Sequence, residues 1–269
     1  MASRSSREPR RQLEDLIDTH AHLNHPKLLD KLEDVLVRAR SAGISNMIVV
    51  GYDLASSERA VRMAEAHEGI WAAVGVHPHD ARSFTSDDLS VLRVLANSEK
   101  TVAIGETGLD FYRDLSPRRM QRDAFERQLD LAVELNLPAI VHCRDAQEDV
   151  LSILERRRQN RIVWHCFDGN AEQATRAIIA GVTLGIGGRL TYRSAGELRQ
   201  VVAQIPLEHI VLETDCPYLT PEPMRGTDNE PAYLALVAEY LADERCVEDE
   251  ELQRITSSAA RRVFSHIET

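Results

Sequence analysis

The stretch Leu16-Ile17-Asp18-Thr19-His20-Ala21-His22 decides how the rest of the chain is read. It opens on two apolar residues, is too short for a helix, and ends on two histidines one residue apart. Side chains at i and i+2 of an extended segment share a face. His20 and His22 then project together from the end of a candidate strand, where they can chelate one cation. Imidazole favours zinc or manganese over magnesium. Asp18 lies one step deeper, placed as a hydrogen-bond partner behind the ligands. An HxH alone reads equally well as two polar loop residues, so its weight depends on what the neighbouring segments carry.

Seven further short apolar runs recur downstream, at 46–50, 71–76, 101–104, 139–141, 162–164, 182–186 and 210–212. Most of the runs end at Gly, His or an acid, as buried strands do. Between them, apolar residues fall at helical spacing. Leu28, Leu29, Leu32, Val35, Leu36 and Ala39 form one such set; Phe125, Leu129, Leu131, Ala132 and Leu135 form another; Val150, Leu151, Ile153 and Leu154 form a third. Gly43 and Gly181 follow two of these helices as expected left-handed caps, and Pro138 blocks helix continuation into the next strand. Alternating strand and helix implies parallel strands joined by crossovers. Eight units predict an α/β fold of the (β/α)8 TIM-barrel type. A doubly wound open sheet shares the pattern. A Pro-rich loop over 215–231 and helical stretches near 232–242 and 248–264 close the chain. With no composition break, 13–269 reads as one barrel domain.

The His and acids at the strand ends are His20 and His22, His77 and His79, Glu106, His142, His165 and Asp215. Six of the ten histidines thus collect on the face where barrel enzymes place their active sites. His142 and Arg144 repeat the i, i+2 logic: His142 points inward as a ligand and Arg144 to the same mouth, suited to an anion. His165 is a ligand candidate for the ion of His142. Glu106 can reach two ions, because a carboxylate bridges and an imidazole does not. Asp215 ends the last strand, beside the first in a closed barrel, and is placed as ligand to the His20–His22 ion and as the base that orients an attacking water. Cys143, Cys166 and Cys216 each follow a ligand candidate and should alternate to the helix side as packing thiols.

The net charge of −11 argues against a broad basic nucleic-acid surface. It leaves room for a phosphate-bearing substrate in a cleft, since bound divalent ions supply local positive charge. No run of about 18 apolar residues is present, so no membrane span is expected. Residues 1–12, rich in Ser and Arg, read as a disordered tail rather than a secretory signal. The four cysteines lack CxxC spacing and read as reduced thiols of a cytoplasmic protein, and a monomer is expected.

The motifs D-T-H-A-H-L at Asp18, V-G-V-H-P-H at Val74, G-E-T-G-L-D at Gly105, V-H-C-R-D-A at Val141, W-H-C-F at Trp164, L-E-T-D-C-P-Y-L at Leu212 and R-G-T-D-N-E-P at Arg225 occur in this order. In that order they resemble the TatD family of metal-dependent DNases, within the amidohydrolase-like barrel group. The resemblance implies two divalent ions (zinc, manganese or magnesium): His20, His22 and Asp215 hold one, His142 and His165 the other, and Glu106 lies between. It places His77 near a scissile phosphate. Arg144 and Arg225, whose guanidinium suits a bidentate grip on phosphate, are further substrate-binding candidates, with Asn229 in the loop after the last strand shaping the cleft. The resemblance implies a 3′–5′ exonuclease acting on single-stranded DNA or strand ends. The same barrel chemistry also hydrolyses esters, amides and small phosphoesters, and a non-catalytic metal-binding barrel is the remaining reading. Asp168 departs from the small hydroxyl residue more usual in the family; an acid at the mouth either repels a phosphate backbone or recruits a cation.

Overall fold

Every one of the eight apolar runs forms a strand in the computed structural model, which describes residues 13–157 and 161–267. The expected tail over 1–12 lies outside the described residues. In chain order the elements are β1 (Leu16–Ala21), α1 (Pro26–Leu29), α2 (Leu32–Ser41), β2 (Ile44–Val50), α3 (Leu54–Ala66), β3 (Ile70–Val74), α4 (Ser86–Leu95), β4 (Thr101–Asp110) and α5 (Arg118–Glu134). They continue with β5 (Ala139–Arg144), α6 (Gln147–Arg157), β6 (Ile162–Trp164), α7 (Ala171–Ile179), β7 (Val182–Ile186), α8 (Gly196–Val202), β8 (Ile210–Leu212), α9 (Leu234–Arg245) and α10 (Asp249–Val263). All neighbouring strands pair in parallel in sequence order, so the open doubly wound alternative, which needs a reversal of strand order, does not apply.

Closure falls to residues just beyond β8. Asp215 donates its N–H to His20 O at 2.8 Å, His22 donates to Cys216 O at 2.8 Å, and Thr19 Oγ1 donates to Leu212 O at 3.0 Å. Asp18 completes the seam. It accepts from the Thr214 N–H at 3.0 Å, the Thr214 hydroxyl at 2.6 Å and the His20 N–H at 3.2 Å. Asp18 therefore supports the backbone that carries the histidines rather than their rings. Burial pushes its carboxyl up to about 7 against these hydrogen bonds.

The core has two layers. Leu16, Met47, Val49, Val74, Val141, Trp164, Leu184 and Leu212 face the helices. Ile17, Ile48, Val50, Ala73, Ile140, Val163 and Val211 fill the barrel, continuous with Ala259, Val263 and Phe264 at the end of the chain. Among the described residues the strand register shifts at four places, and two of them, in β1 and β4, matter for chemistry. Between Asp18 and Ala21, β1 carries one residue more than β2, and between Ile104 and Thr107, β4 carries one more than β5. Leu16 and Ala21 consequently share the outer layer although an odd number of residues apart, as do Ile104 and Leu109. Such bulges re-aim side chains; here they fall beside His20 and on Glu106. Gly43, at φ +85°, ends α2 as expected, and a Cβ there would lie 1.8 Å from Leu13 O. The single helix read over 28–39 is instead two, broken at Asp30–Lys31.

Candidate metal centre

Glu106 is the hub. The bulge turns its carboxylate into the mouth of the barrel, where it is almost fully buried. Its two oxygens serve different groups. Oε1 lies 2.8 Å from His142 Nδ1 and 2.9 Å from His165 Nε2, with His77 Nε2 at 3.7 Å. Oε2 lies 3.5 Å from His20 Nε2 and 3.8 Å from His22 Nε2. Asp215 closes the second group, its Oδ1 standing 3.4 Å from His22 Nε2 and 3.8 Å from His20 Nε2. Asp215 is held at φ +55°, a left-handed conformation unusual for a residue other than glycine. The six ligand candidates are thus brought together: His20, Glu106 and His142 from within β1, β4 and β5, and His22, His165 and Asp215 from just beyond β1, β6 and β8.

The spacing suits divalent cations. Two ligands bound at about 2.1 Å stand about 3.0 Å apart at a right angle and about 3.4 Å apart at the tetrahedral angle. The His20 and His22 Nε2 atoms are 3.2 Å apart, and His142 Nδ1 and His165 Nε2 are 3.3 Å apart. Among the described residues, three groups each bring their donor atoms within 4.8 Å of one another: His20, His22 and Asp215; His20, Glu106 and His165; and His77, Glu106 and His142. So many ring nitrogens facing carboxylate oxygens, without hydrogens enough to pair them all, is a donor set for metal rather than for a protein hydrogen-bond network.

For two of the rings, His22 and His142, a partner on the opposite edge fixes the tautomer, whereas His20 Nδ1 has no hydrogen-bond partner among the described residues. His22 Nδ1–H donates to Val50 O at 3.1 Å, leaving Nε2 with a lone pair. His142 Nε2 lies 3.3 Å from Asp110 Oδ2, which leaves Nδ1 facing the centre. His165 Nδ1 stands 3.7 Å from Glu213, whose carboxylate also accepts the Cys166 N–H. Sequence reasoning missed Asp110 and Glu213. Asp110 lies four residues after Glu106 and Glu213 two before Asp215, and that even spacing was the available signal. Burial disfavours the charged forms of His165 and His142, yet the carboxylates of Glu106, Glu213 and Asp110 outweigh it and raise both rings. Burial likewise opposes ionisation of Glu106, and the surrounding histidines hold it well below the usual carboxylate range. His77 differs: its Nδ1 accepts the His79 N–H at 3.2 Å, and burial with the neighbouring His142 holds it well below its ordinary value. It is a neutral ring whose Nε2–H points at the centre. His79 is tied to Asp110 at 2.9 Å.

The remaining residues lie around the mouth. Arg144 is exposed, its guanidinium 4.0 Å over the Tyr112 ring, and Arg225 is exposed 4.1 Å over Tyr192. Asn229 is fully buried. Its amide donates to Thr214 O at 2.8 Å and Tyr218 O at 2.6 Å, and its carbonyl accepts from the Glu230 N–H at 3.0 Å. Its side chain holds the loop after β8. Asp168 pairs with an arginine: Arg189 lies 3.3 Å from it, and Gln147 donates to it at 3.1 Å. Cys143 and Cys216 pack in the outer core as expected. Cys166 does not, because β6 ends at Trp164 and the left-handed Cys166, at φ +49°, turns toward Arg189 and Glu213. Burial pushes its thiol up to about 12. No described helix is long and apolar enough to cross a membrane.

A (β/α)8 barrel with histidine and carboxylate donors converging at its strand ends defines a metal-dependent hydrolase. The comparisons give the family. The model of the TatD-related DNases matches residues 17–265, and the chain belongs to that family. It is 43% identical over 251 residues to an uncharacterized metal-dependent hydrolase, YabD, of Bacillus subtilis strain 168, covering 93% of this chain and 98% of that one. It is 38% identical over 260 residues to the 3′-5′ ssDNA/RNA exonuclease TatD of Pantoea ananatis, covering 94% and 100%. The crystal structure of YJJV, a TatD homologue from Escherichia coli K12, superposes with a TM-score of 0.89 at 31% identity, covering 93% and 98%.

Proposed function

We propose that the site holds two divalent cations, zinc or manganese by its imidazole content, and that the protein is a 3′–5′ exonuclease on single-stranded DNA or strand ends. The observation that carries this reading is the division of labour within Glu106, one oxygen serving His142 and His165 and the other His20 and His22. A single carboxylate between two donor groups is the arrangement a two-ion site requires. Bound there, the cations supply positive charge for a phosphodiester and bring the pKa of water from 15.7 toward about 7.

The chain's own residues do the rest. Asp215 stands at the open edge of the donor set and takes or orients the proton of the attacking water. His77, neutral with Nε2–H toward Glu106, is placed to donate to a phosphate oxygen. Arg144 and Arg225, parked on tyrosine faces, can swing a planar fork to phosphates that approach the mouth. Asn229 acts through Thr214, holding the backbone on which Asp215 stands. The net charge of −11 disfavours a duplex, which would need a broad basic surface, and favours a single strand drawn into the mouth by the cations. The test uses protein reloaded with manganese, zinc or magnesium and a labelled single strand, beside RNA, an aminoacyl ester and a cyclic amide. Nucleotide release from the 3′ end is expected, reduced at least a hundredfold in Asp215→Asn. Full activity in that variant, or turnover of the ester or amide alone, overturns the proposal.

A further inference from the structure

Beside the metal site lies a second concavity, about 460 Å³, between the segments after β6 and β7. Asp168, Arg189, Tyr192, Leu198, Gln200 and Val201 line it. Its size falls in the range of about 300–1,000 Å³ typical of small-molecule sites. Arg189 connects it to the catalytic face, because the same side chain lines a narrow cleft with Cys166, Gly187, Glu213 and Asp215. The two openings share Arg189 as a wall.

The state of Arg189 is informative. Two of the better-buried ion pairs of the fold use the arginine fork fully, whereas exposed pairs such as Arg62–Glu58 and Arg118–Asp114 rest on one nitrogen. Arg38 holds Glu230 with three contacts of 2.7 to 3.0 Å, and Arg261 holds Asp15 with two of 2.7 and 2.9 Å. Arg189 touches Asp168 through one nitrogen at 3.3 Å, with its side chain 40% exposed. That is a weak hold for a guanidinium whose planar fork suits phosphate. Asp168 is anchored independently by Gln147, so it would stay in place if Arg189 turned away. Tyr192, one face of which carries the Arg225 guanidinium, offers an aromatic wall, and Leu198 and Val201 an apolar one, as a nucleobase requires.

Resting on the nuclease reading above, we propose that this cavity is a nucleotide subsite. Arg189 exchanges its one carboxylate contact, with Asp168, and its approach to the Cys166 side chain for the phosphate next to the scissile one, and the attached nucleoside enters against Tyr192. Asp168 thereby masks the arginine's charge while no strand is bound. This accounts for an acid at the mouth of a phosphate-binding site: it sets the affinity for a polynucleotide without touching the reacting bond.

The test uses manganese-loaded full-length protein and three readouts. They are cleavage of a single-stranded 12-mer, anisotropy binding of the same 12-mer with cleavage-resistant phosphorothioate linkages, and hydrolysis of bis(p-nitrophenyl) phosphate, a diester with no nucleoside or neighbouring phosphate. Arg189→Met should raise KM for the 12-mer about tenfold, the loss of one charge-assisted contact. It should keep kcat within twofold, weaken phosphorothioate binding in parallel, and leave the small diester unaffected. Asp168→Asn should tighten 12-mer binding threefold or more and have no effect once Arg189 is Met. Leu198→Trp, which fills the cavity with Arg189 intact, should weaken the 12-mer alone. Arg189→Met acting equally on both substrates, or on neither, overturns the subsite, and so does Asp168→Asn weakening the 12-mer. Wild-type protein that binds the 12-mer through Arg189 but fails to cleave it with manganese, zinc or magnesium supplied overturns the nuclease reading and keeps the subsite.

Discussion

Asn229→Ala separates a substrate contact from a loop support. Asn229 is fully buried and makes three hydrogen bonds, two as donor to Thr214 O and Tyr218 O and one as acceptor from the Glu230 N–H. Each bond contributes about 0.5–1.5 kcal/mol net, and a buried group left without a partner costs more than that. Three lost bonds and the void of the side chain give a destabilisation of about 3 kcal/mol. For a chain of this size each kcal/mol shifts Tm by about 2–4 °C, so thermal unfolding should fall by about 6–12 °C. Because Thr214 precedes Asp215, kcat should fall as well, while KM for a single-stranded oligonucleotide stays within about twofold. Differential scanning fluorimetry and steady-state kinetics on the same preparation read both quantities. A variant with unchanged Tm and a KM raised tenfold would refute this account and make Asn229 a direct substrate contact.

Gly185→Ala would place a Cβ 2.3 Å from the Glu213 carboxylate and 3.0 Å from His165 Cα. Moving the group behind a ligand histidine costs about 10–100-fold in metal affinity; competition with a chromogenic chelator should show at least tenfold, and less than twofold would show that Glu213 does not steady His165. Asp15→Asn removes the partner of Arg261 and so loosens α10 from the start of β1. With the Asp15 side chain 39% exposed, the loss at pH 7 should be about 1 kcal/mol. Burial opposes ionisation of Asp15, but Arg261 and Ser45 hold its pKa below the ordinary 3.8. The stability it contributes is therefore complete above pH 3.8 and lost as pH falls through the lower folded value, and wild type and variant should converge in acid urea titrations; a difference that persists there points to packing instead. Chelation should lower Tm and re-addition of zinc or manganese restore it, because a cation present at a thousandfold its Kd contributes about 4 kcal/mol. A Tm indifferent to every divalent ion would argue against a resident metal.

The barrel was legible because each strand is a short apolar run stopped by Gly, His or an acid, and that punctuation survives in any one sequence. The bulges in β1 and β4 were not legible, since one added residue changes pairing without changing composition. His20 and His22 were placed together all the same, because only Ala21 separates them and their Nε2 atoms meet 3.2 Å apart. Asp18 lies before the β1 bulge, which is why strict alternation put it behind the rings when it in fact holds the seam. Asp110 was hidden by reading the fourth strand as ending at Ile104, six residues early. Glu213 was hidden because the chain leaves extended geometry at Asp215. Arg189 carries no local motif; its place depends on Asp168 twenty-one residues upstream, a contact that only folding creates.

The tautomers separate groups that a list of nearby donors would merge. His22, His142 and His165 each turn one nitrogen to a carbonyl or carboxylate behind them and offer the other toward the centre. His77 is reversed: a backbone N–H occupies its Nδ1, so Nε2 must carry the hydrogen it turns toward Glu106. A protonated nitrogen donates to a phosphate oxygen and does not bind a cation, although His77 lies close enough to Glu106 and His142 to form a third donor group. His77→Ala should therefore keep the wild-type metal content while kcat falls about a hundredfold, the loss typical of a positioned donor. His165→Ala should lose about one ion per chain. Metal analysis after gel filtration distinguishes the two, and an ion missing from the His77 variant would move that histidine from the substrate to the metal.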